Sequence, residues 1–297
     1  MRVQSQTRMS GKHMVLAALV ASIWGVAFVL SKVGLESFTP SQLTFLRFTC
    51  AALGVLWLPR PAISWTLLIL IGLTLFTGQF LLQFTGIAMG MPAGLTAVVA
   101  QTQAPFTVLL AIFILGDRPT IQQVVGMLAA LVGLVVISST LGHGVPIAAF
   151  LVMLASALSW SVGNVLVKKI GKVDMLHLMV WASLVPPLPA LLLMTVFDGG
   201  YMSILQSLSN ASWQSIGSVV YLGFIATILG YAVWGSLLVR YSAAAVAPFA
   251  LLVPCVGAIT SYLVFGEVFE PLRLAGMALM IVGLLITIAP LNWFHRH

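Results

Sequence analysis

Arg47, in the string QLTFLRFTC, is a lone guanidinium in a stretch of otherwise uncharged residues. Its planar fork of N–H donors suits the two oxygens of a carboxylate. The competing role is structural, either an internal pairing or a long side chain snorkelling to the membrane surface. His177 is the one group near the apolar tracts that titrates around neutrality, and it fits either a pathway role or contact with lipid headgroups. Four amides form a second tier. Gln79 and Gln83 are four apart and share one helix face, while Gln101 and Gln103 flank Thr102 just ahead of Pro105. In hydrocarbon such groups need partners, which cargo or a neighbouring helix supplies equally well. Trp160 with Asn164 places an amide beside an aromatic wall, and Trp24, Tyr231 and Trp234 extend the same chemistry or serve as packing. Pro105 and Pro254 each interrupt a helix interior, where a missing N–H bends the helix and frees a carbonyl; a pathway kink and a proline tolerated in packing both remain open.

Absences narrow the chemistry. No Asp or Glu lies deep in an apolar run, since Glu36, Asp117, Asp174, Asp198, Glu267 and Glu270 all fall at loops or helix ends. A buried carboxylate proton relay is unsupported, which leaves His177, an end-lying acid, or exchange of one solute for another as routes of coupling, by proton or solute counter-transport. There is no GxxxxGK[ST] loop for ATP, and no ring of acids or filter sequence for a channel. The histidines, His13, His143, His177, His295 and His297, are dispersed, and Cys50 and Cys255 form no ligand or disulfide pattern. An enzyme is not expected, nor any metal or cofactor.

The elements that carry these residues are set by hydrophobicity. The chain has 297 residues, 61% hydrophobic and 6% charged, far from the roughly 25% charge of soluble domains. Uncharged tracts such as 14–30, 121–141 and 274–289 are long enough for helices that cross about 30 Å of hydrocarbon. Reading apolar runs between turn signals predicts ten transmembrane helices, near 13–33, 41–58, 65–87, 93–115, 121–140, 145–167, 175–196, 213–239, 243–265 and 272–290. The fold class expected is therefore an all-α integral membrane protein. The partners expected are membrane lipid and a small-molecule substrate. The net charge of +7 reads as a topology signal, with no face for nucleic acid. With a cytoplasmic N-terminus, the inner segments collect Arg2, Arg8, Lys12, Arg60, Arg118, Lys168, Lys169, Lys172, Arg240 and Arg296, 10 of the 13 basic residues, so both termini are expected inside. The segment 198–212 is the longest expected loop.

A repeat is visible within the chain. The string from Pro92 recurs from Ser242 at an offset of 150, placing Gly116 and Asp117 on Gly266 and Glu267, Gly126 on Gly276, and Gly133 on Gly283. Trp24 and Lys32 match Trp160 and Lys168 at an offset of 136. Two domains follow, 13–140 and 145–290. With five spans each, they are expected as inverted five-helix repeats, the plan by which many secondary transporters expose one site to alternate sides. The glycines at Gly126, Gly133, Gly276 and Gly283 are expected to let backbones approach closely.

With these features in place, the sequence resembles the EamA-type ten-helix members of the drug/metabolite transporter superfamily. The likeness covers essentially the whole chain, and its most specific pieces are SIWGVAFVLSKVGL, GMPAGLTAVVAQTQAPFTVLLAIFILGDRPT, SWSVGNVLVKK and APFALLVPCVGAITSYLVFGEVF. The resemblance implies an inner-membrane permease with two EamA domains that exports amino acids or related small metabolites. An exporter of drugs or toxic compounds is the alternative within the superfamily, and a structural protein or membrane-embedded enzyme the alternative outside it.

Overall fold

A computed structural model describes residues 9–116, 120–140, 145–171, 173–241 and 246–288. Asp117, Arg118, His143 and Lys172, together with Arg2, Arg8, His295, Arg296 and His297, lie outside the described residues. The described chain is helical throughout. α1 (Gly11–Gly34) starts behind Ser10, whose hydroxyl accepts the His13 amide. α2 (Pro40–Ala52) is entered through a capping box: Thr39 accepts from the Gln42 amide, the Gln42 carboxamide oxygen accepts from the Thr39 amide, and Pro40 supplies a preset φ at the first position. Then come α3 (Trp65–Ile71), α4 (Gln79–Ala88), α5 (Ala93–Val99), α6 (Gln103–Leu115), α7 (Ile121–Ser139), α8 (Ile147–Ile170), α9 (Met175–Ala182), α10 (Pro187–Phe197), α11 (Ser203–Asn210), α12 (Trp213–Val220), α13 (Gly230–Arg240), α14 (Leu252–Phe265) and α15 (Pro271–Ile288).

Two pairs are joined without a break by widened, π-helical turns, Gly72–Gly78 between α3 and α4 and Tyr221–Leu229 between α12 and α13. In each, a threonine hydroxyl donates to the carbonyl five residues back, Thr77 to Gly72 at 3.1 Å and Thr227 to Leu222 at 2.8 Å. The two threonines are 150 residues apart, the offset of the sequence repeat.

The expectation of ten spans in two inverted five-helix repeats is corrected by these helices. Six stretches are long and apolar enough to cross a membrane: Gly11–Gly34, Trp65–Ala88, Ala93–Ile114, Ile147–Ile170, Met175–Phe197 and Trp213–Leu237. The apolar stretches Ile121–Ile137, Phe249–Phe265 and Pro271–Thr287 are shorter, and α2 has 13 residues. At 1.5 Å per residue a helix of that length rises about 20 Å, well under the thickness of the hydrocarbon core. In two of these cases part of the apolar run is spent outside α-helix. Leu53–Leu56 forms a 3₁₀ turn after α2, and Ala247–Leu251 another ahead of α14. The fold is an all-α, multi-pass membrane protein with six candidate transmembrane helices among the described residues. Its outer faces carry large apolar side chains, among them Phe113 at 82% exposure and Leu263 at 73%, the arrangement expected where lipid is the solvent. The expected loop 198–212 also differs, since it holds α11, with α10 ending just before it.

Packing is closest where side chains are smallest. α7 and α15 cross antiparallel, with Gly133 against Gly276 and Gly126 against Gly283; a Cβ on Gly133 would stand 2.6 Å from the Gly276 carbonyl oxygen. Arg273, in the first turn of α15, is buried and donates to the Thr140 hydroxyl and carbonyl, both at 2.9 Å. α1 packs on α5 and α14, where Gly25 meets Val256 and Gly257 meets Ala97.

One end of the bundle is laced by polar contacts. Ser37 meets Ser215, Thr39 and Ser41 donate to the Asp198 carboxylate, and Gln42 donates to Ser203. Glu267, in the α14–α15 connection, accepts from Lys32 Nζ at 2.7 Å, from the Ala93 and Gly94 amides at 3.0 and 3.1 Å, and from the Ser261 hydroxyl. Burial pushes this carboxyl's pKa up, but the bonds from Lys32, Ser261 and the two amides outweigh it and hold the pKa below the ordinary value of 4.5. Because the folded value is the depressed one, the stabilisation is present above the unfolded value and is lost as pH falls through the folded value. The difference in thermal midpoint between the native protein and Glu267→Gln is therefore expected to hold steady at neutral pH and to shrink once pH drops below about 4.5. A gap that stays constant down to pH 3, about a unit below the ordinary carboxyl value, would refute this account.

Candidate substrate-binding cavity

A cavity of about 330 Å³ lies between α1, α2, α4, α6, α8, α9, α13 and α14. Trp24, Arg47, Gln79, Gln83, Gln101, Gln103, Trp160, Asn164, Tyr231 and Trp234 all line it, so the candidates read from six separate stretches of sequence meet around one space. His177 does not join them. It sits in the first turn of α9, where its amide is capped by the Asp174 carboxylate, while Met175 and Met179 of the same helix turn toward the cavity. His177 is two residues from each methionine, about half a turn round the helix and so on the opposite face, and the sequence alone does not say which face turns inward.

Among the described residues Arg47 is the only charged one in the lining, and it is itself 4% exposed. One terminal nitrogen donates to the Thr227 hydroxyl at 3.3 Å, and the guanidinium carbon sits 3.9 Å from the Phe80 ring centre and 5.4 Å from that of Phe48. Its Nε is buried with no partner, as are the Oε1 atoms of Gln79 and Gln83. No carboxylate of the described residues lies within ion-pair reach of it. A guanidinium taken out of water without a counter-charge costs several kcal/mol, and stacking on two rings offsets only part of that. The site is thus electrostatically incomplete, and an anionic group of small size would complete it.

The aromatic wall is built around the second π-helical turn. Widening the helix at Tyr221–Leu229 leaves the Ala226 carbonyl to accept from Trp24 Nε1 at 2.9 Å, and the Thr227 hydroxyl to receive Arg47. Trp24 then lies 5.1 Å from Trp234 and 5.5 Å from Tyr231, centre to centre. Gly230 makes room for this, since a Cβ there would meet the Trp24 indole nitrogen at 2.8 Å.

Pro105 and Pro254 are both buried and both fall in the first turn of an α-helix, α6 and α14, each behind a 3₁₀ segment. A proline nitrogen has no proton for the carbonyl four residues back, which is that of Gln101 in one case and Ala250 in the other. Both of those residues line the cavity. Thr227, Phe80 and the methionines of α9 were missed in the sequence reading. For Thr227 the available signal was its place 150 residues after Thr77.

A multi-pass helical membrane protein enclosing a small cavity with one unpaired charge is the architecture of a solute carrier. The chain belongs to the EamA-like transporter family, whose profile matches twice, over residues 11–139 and 147–289. A probable amino-acid metabolite efflux pump of Salmonella typhimurium is 40% identical over 287 residues, covering 94% of this chain and 96% of that protein. A protein of Escherichia coli described in the same words is 38% identical, covering 96% and 97%. A probable terminal-alkyne amino-acid exporter of Streptantibioticus cattleyicolor is 30% identical, covering 91% of each. A solved crystal structure with 18% identity superposes with a TM-score of 0.62 over 94% of this chain and 96% of its own, and so shares the fold. Membership of a transporter family sets aside the enzyme alternative. Among the described residues no group of three or more His, Cys, Asp or Glu is arranged to hold a metal ion.

Proposed function

We propose that this protein exports amino acids or related carboxylate-bearing metabolites across a bacterial inner membrane by alternating access, with both termini in the cytoplasm. The observation that carries the substrate class is Arg47, a buried guanidinium without a counter-charge on the wall of the central cavity. A carboxylate on Arg47 supplies the missing charge. The Gln79, Gln83, Gln101 and Gln103 amides offer hydrogen bonds to the rest of a small polar solute, and the Trp24, Trp160, Tyr231 and Trp234 rings offer faces to its ammonium or side chain. Among the described residues the lining holds no acid, which disfavours strongly cationic drugs. The names of the relatives in Salmonella, Escherichia and Streptantibioticus support the amino-acid reading. More narrowly, the GMPAGL turn, the AQTQAPFT segment and the WSVGN stretch are similar to those of exporters of O-acetylserine and cysteine, which makes these two solutes the first cargo to try. The basic residues that favour a cytoplasmic N-terminus support the orientation.

Purified protein in liposomes tests this by counterflow of labelled cysteine, O-acetylserine, threonine, phenylalanine and a cationic dye, with and without a proton gradient. At least one amino acid is expected to move. Its uptake should be inhibited by the unlabelled free acid and left unchanged by the matching methyl ester, which has no carboxylate for Arg47. Movement of the dye with none of the amino acids would overturn the substrate class, and inhibition by the ester would remove Arg47 as its recognition group.

A further inference from the structure

We propose that Lys32 and Glu267 form a clasp that holds one mouth of the central cavity shut and must part during each transport cycle. The cavity is asymmetric along the bundle. Toward one end its lining reaches Val167 near the close of α8 and Met175, the first residue of α9. Toward the other it stops at Gln83, before the last turn of α4, and at Ala100 and Arg47, about two turns in from the starts of α5 and α2. A solute crossing a membrane has to leave through both ends, so the elements over the closed end must separate at some point.

Glu267 is the group that joins those elements. Its carboxylate takes Lys32 from the last turns of α1, the Ala93 and Gly94 amides from the start of α5, and the Ser261 hydroxyl from α14. Each of these helices, or its direct continuation, also carries cavity-lining residues, Trp24 on α1, Gln101 just past α5 and Val253 on α14. Opening the carboxylate's bonds therefore loosens three walls together. The lysine side is suited to breaking and reforming: Lys32 is 33% exposed, and when it lets go the Phe265 ring, 4.2 Å from its ammonium, keeps it nearby. A carboxylate buried only to stiffen the fold has no need of a half-exposed partner.

This proposal does not depend on what is transported, and its test uses accessibility alone. In a background carrying Cys50→Ser and Cys255→Ser, a single reporter is placed at the cavity wall by Ala100→Cys. A membrane-impermeant maleimide is then added from each side in turn, using spheroplasts and inverted vesicles. With the clasp intact, labelling is expected mainly from the side that Val167 and Met175 approach. In Lys32→Met or Glu267→Gln, labelling from the opposite side should rise about fivefold or more, the population shift expected when one such pair is lost. Lys32→Arg, which keeps the pair, should label like the parent. Ser261→Ala, which removes one bond and no charge, should give a smaller rise, and it serves where neither charge variant reaches the membrane. Unchanged labelling from the closed side in the variants that insert would overturn the clasp, whether or not amino-acid counterflow is observed; an equal rise in Lys32→Arg would do the same.

Discussion

Arg47→Ala is expected to lower the transport of carboxylate-bearing cargo by a factor of about a hundred or more, with membrane insertion intact. Two charge-assisted bonds from a planar fork, at about 1.5–3 kcal/mol each, account for a loss of that size. The stability consequence runs the other way. In the unliganded protein the guanidinium is buried with one long bond to Thr227 and an unpartnered Nε, so removing it takes an uncompensated charge out of the interior. The alanine variant should therefore unfold at or above the native midpoint while being inactive, a combination that a structural arginine would not give. Arg47→Lys keeps the charge but loses the fork and should recover only part of the activity. Initial rates and thermal midpoints on the same preparations decide the matter: native-like transport in Arg47→Ala would return Arg47 to a packing role beside Phe80.

The largest expected effect on folding comes from Gly133→Val. At this crossing α7 and α15 meet backbone to backbone, and a side chain at position 133 would press on the Gly276 carbonyl oxygen at 2.6 Å and the Met280 nitrogen at 2.7 Å. Neither atom can rotate away, so the helices must separate along their length. Overpacking of this kind costs on the order of 3 kcal/mol or more, a large part of a membrane protein's margin. Size-exclusion profiles and thermal unfolding in detergent should show aggregation or a sharply lowered midpoint. Gly217→Val is the control, because nothing lies within 4 Å of a Cβ placed there. A native midpoint for Gly133→Val would mean that the two helices can part without loss.

Much of the cavity was legible beforehand because the bilayer makes polarity informative. In a chain with 6% charged residues, a guanidinium, five amides, three indoles and a phenol inside apolar tracts stand out by cost alone, and these ten residues converge on one space. His177 stood out on the same grounds yet lies off the cavity, because the chemistry of a side chain does not say which face of its helix turns inward. Thr227 and Phe80 did not stand out, since a hydroxyl and a phenyl ring cost little in an apolar helix. Their importance comes from touching Arg47, 180 and 33 residues away in the chain.

By itself, the sequence determined the helical membrane class, the internal repeat, the small-residue seams and the list of polar groups that must find partners. Each of these follows from local composition, which a bilayer sorts by transfer free energy. The number of helices long enough to span, the place of Asp198 in a polar lacing, and the bonding of Glu267 to three helices were decided by tertiary structure alone. Helix length depends on where packing lets α-helix tighten to 3₁₀, as at Leu53–Leu56 and Ala247–Leu251. A carboxylate's partners depend on which helix ends the fold brings together, and neither is encoded in the hydrophobicity of any one segment.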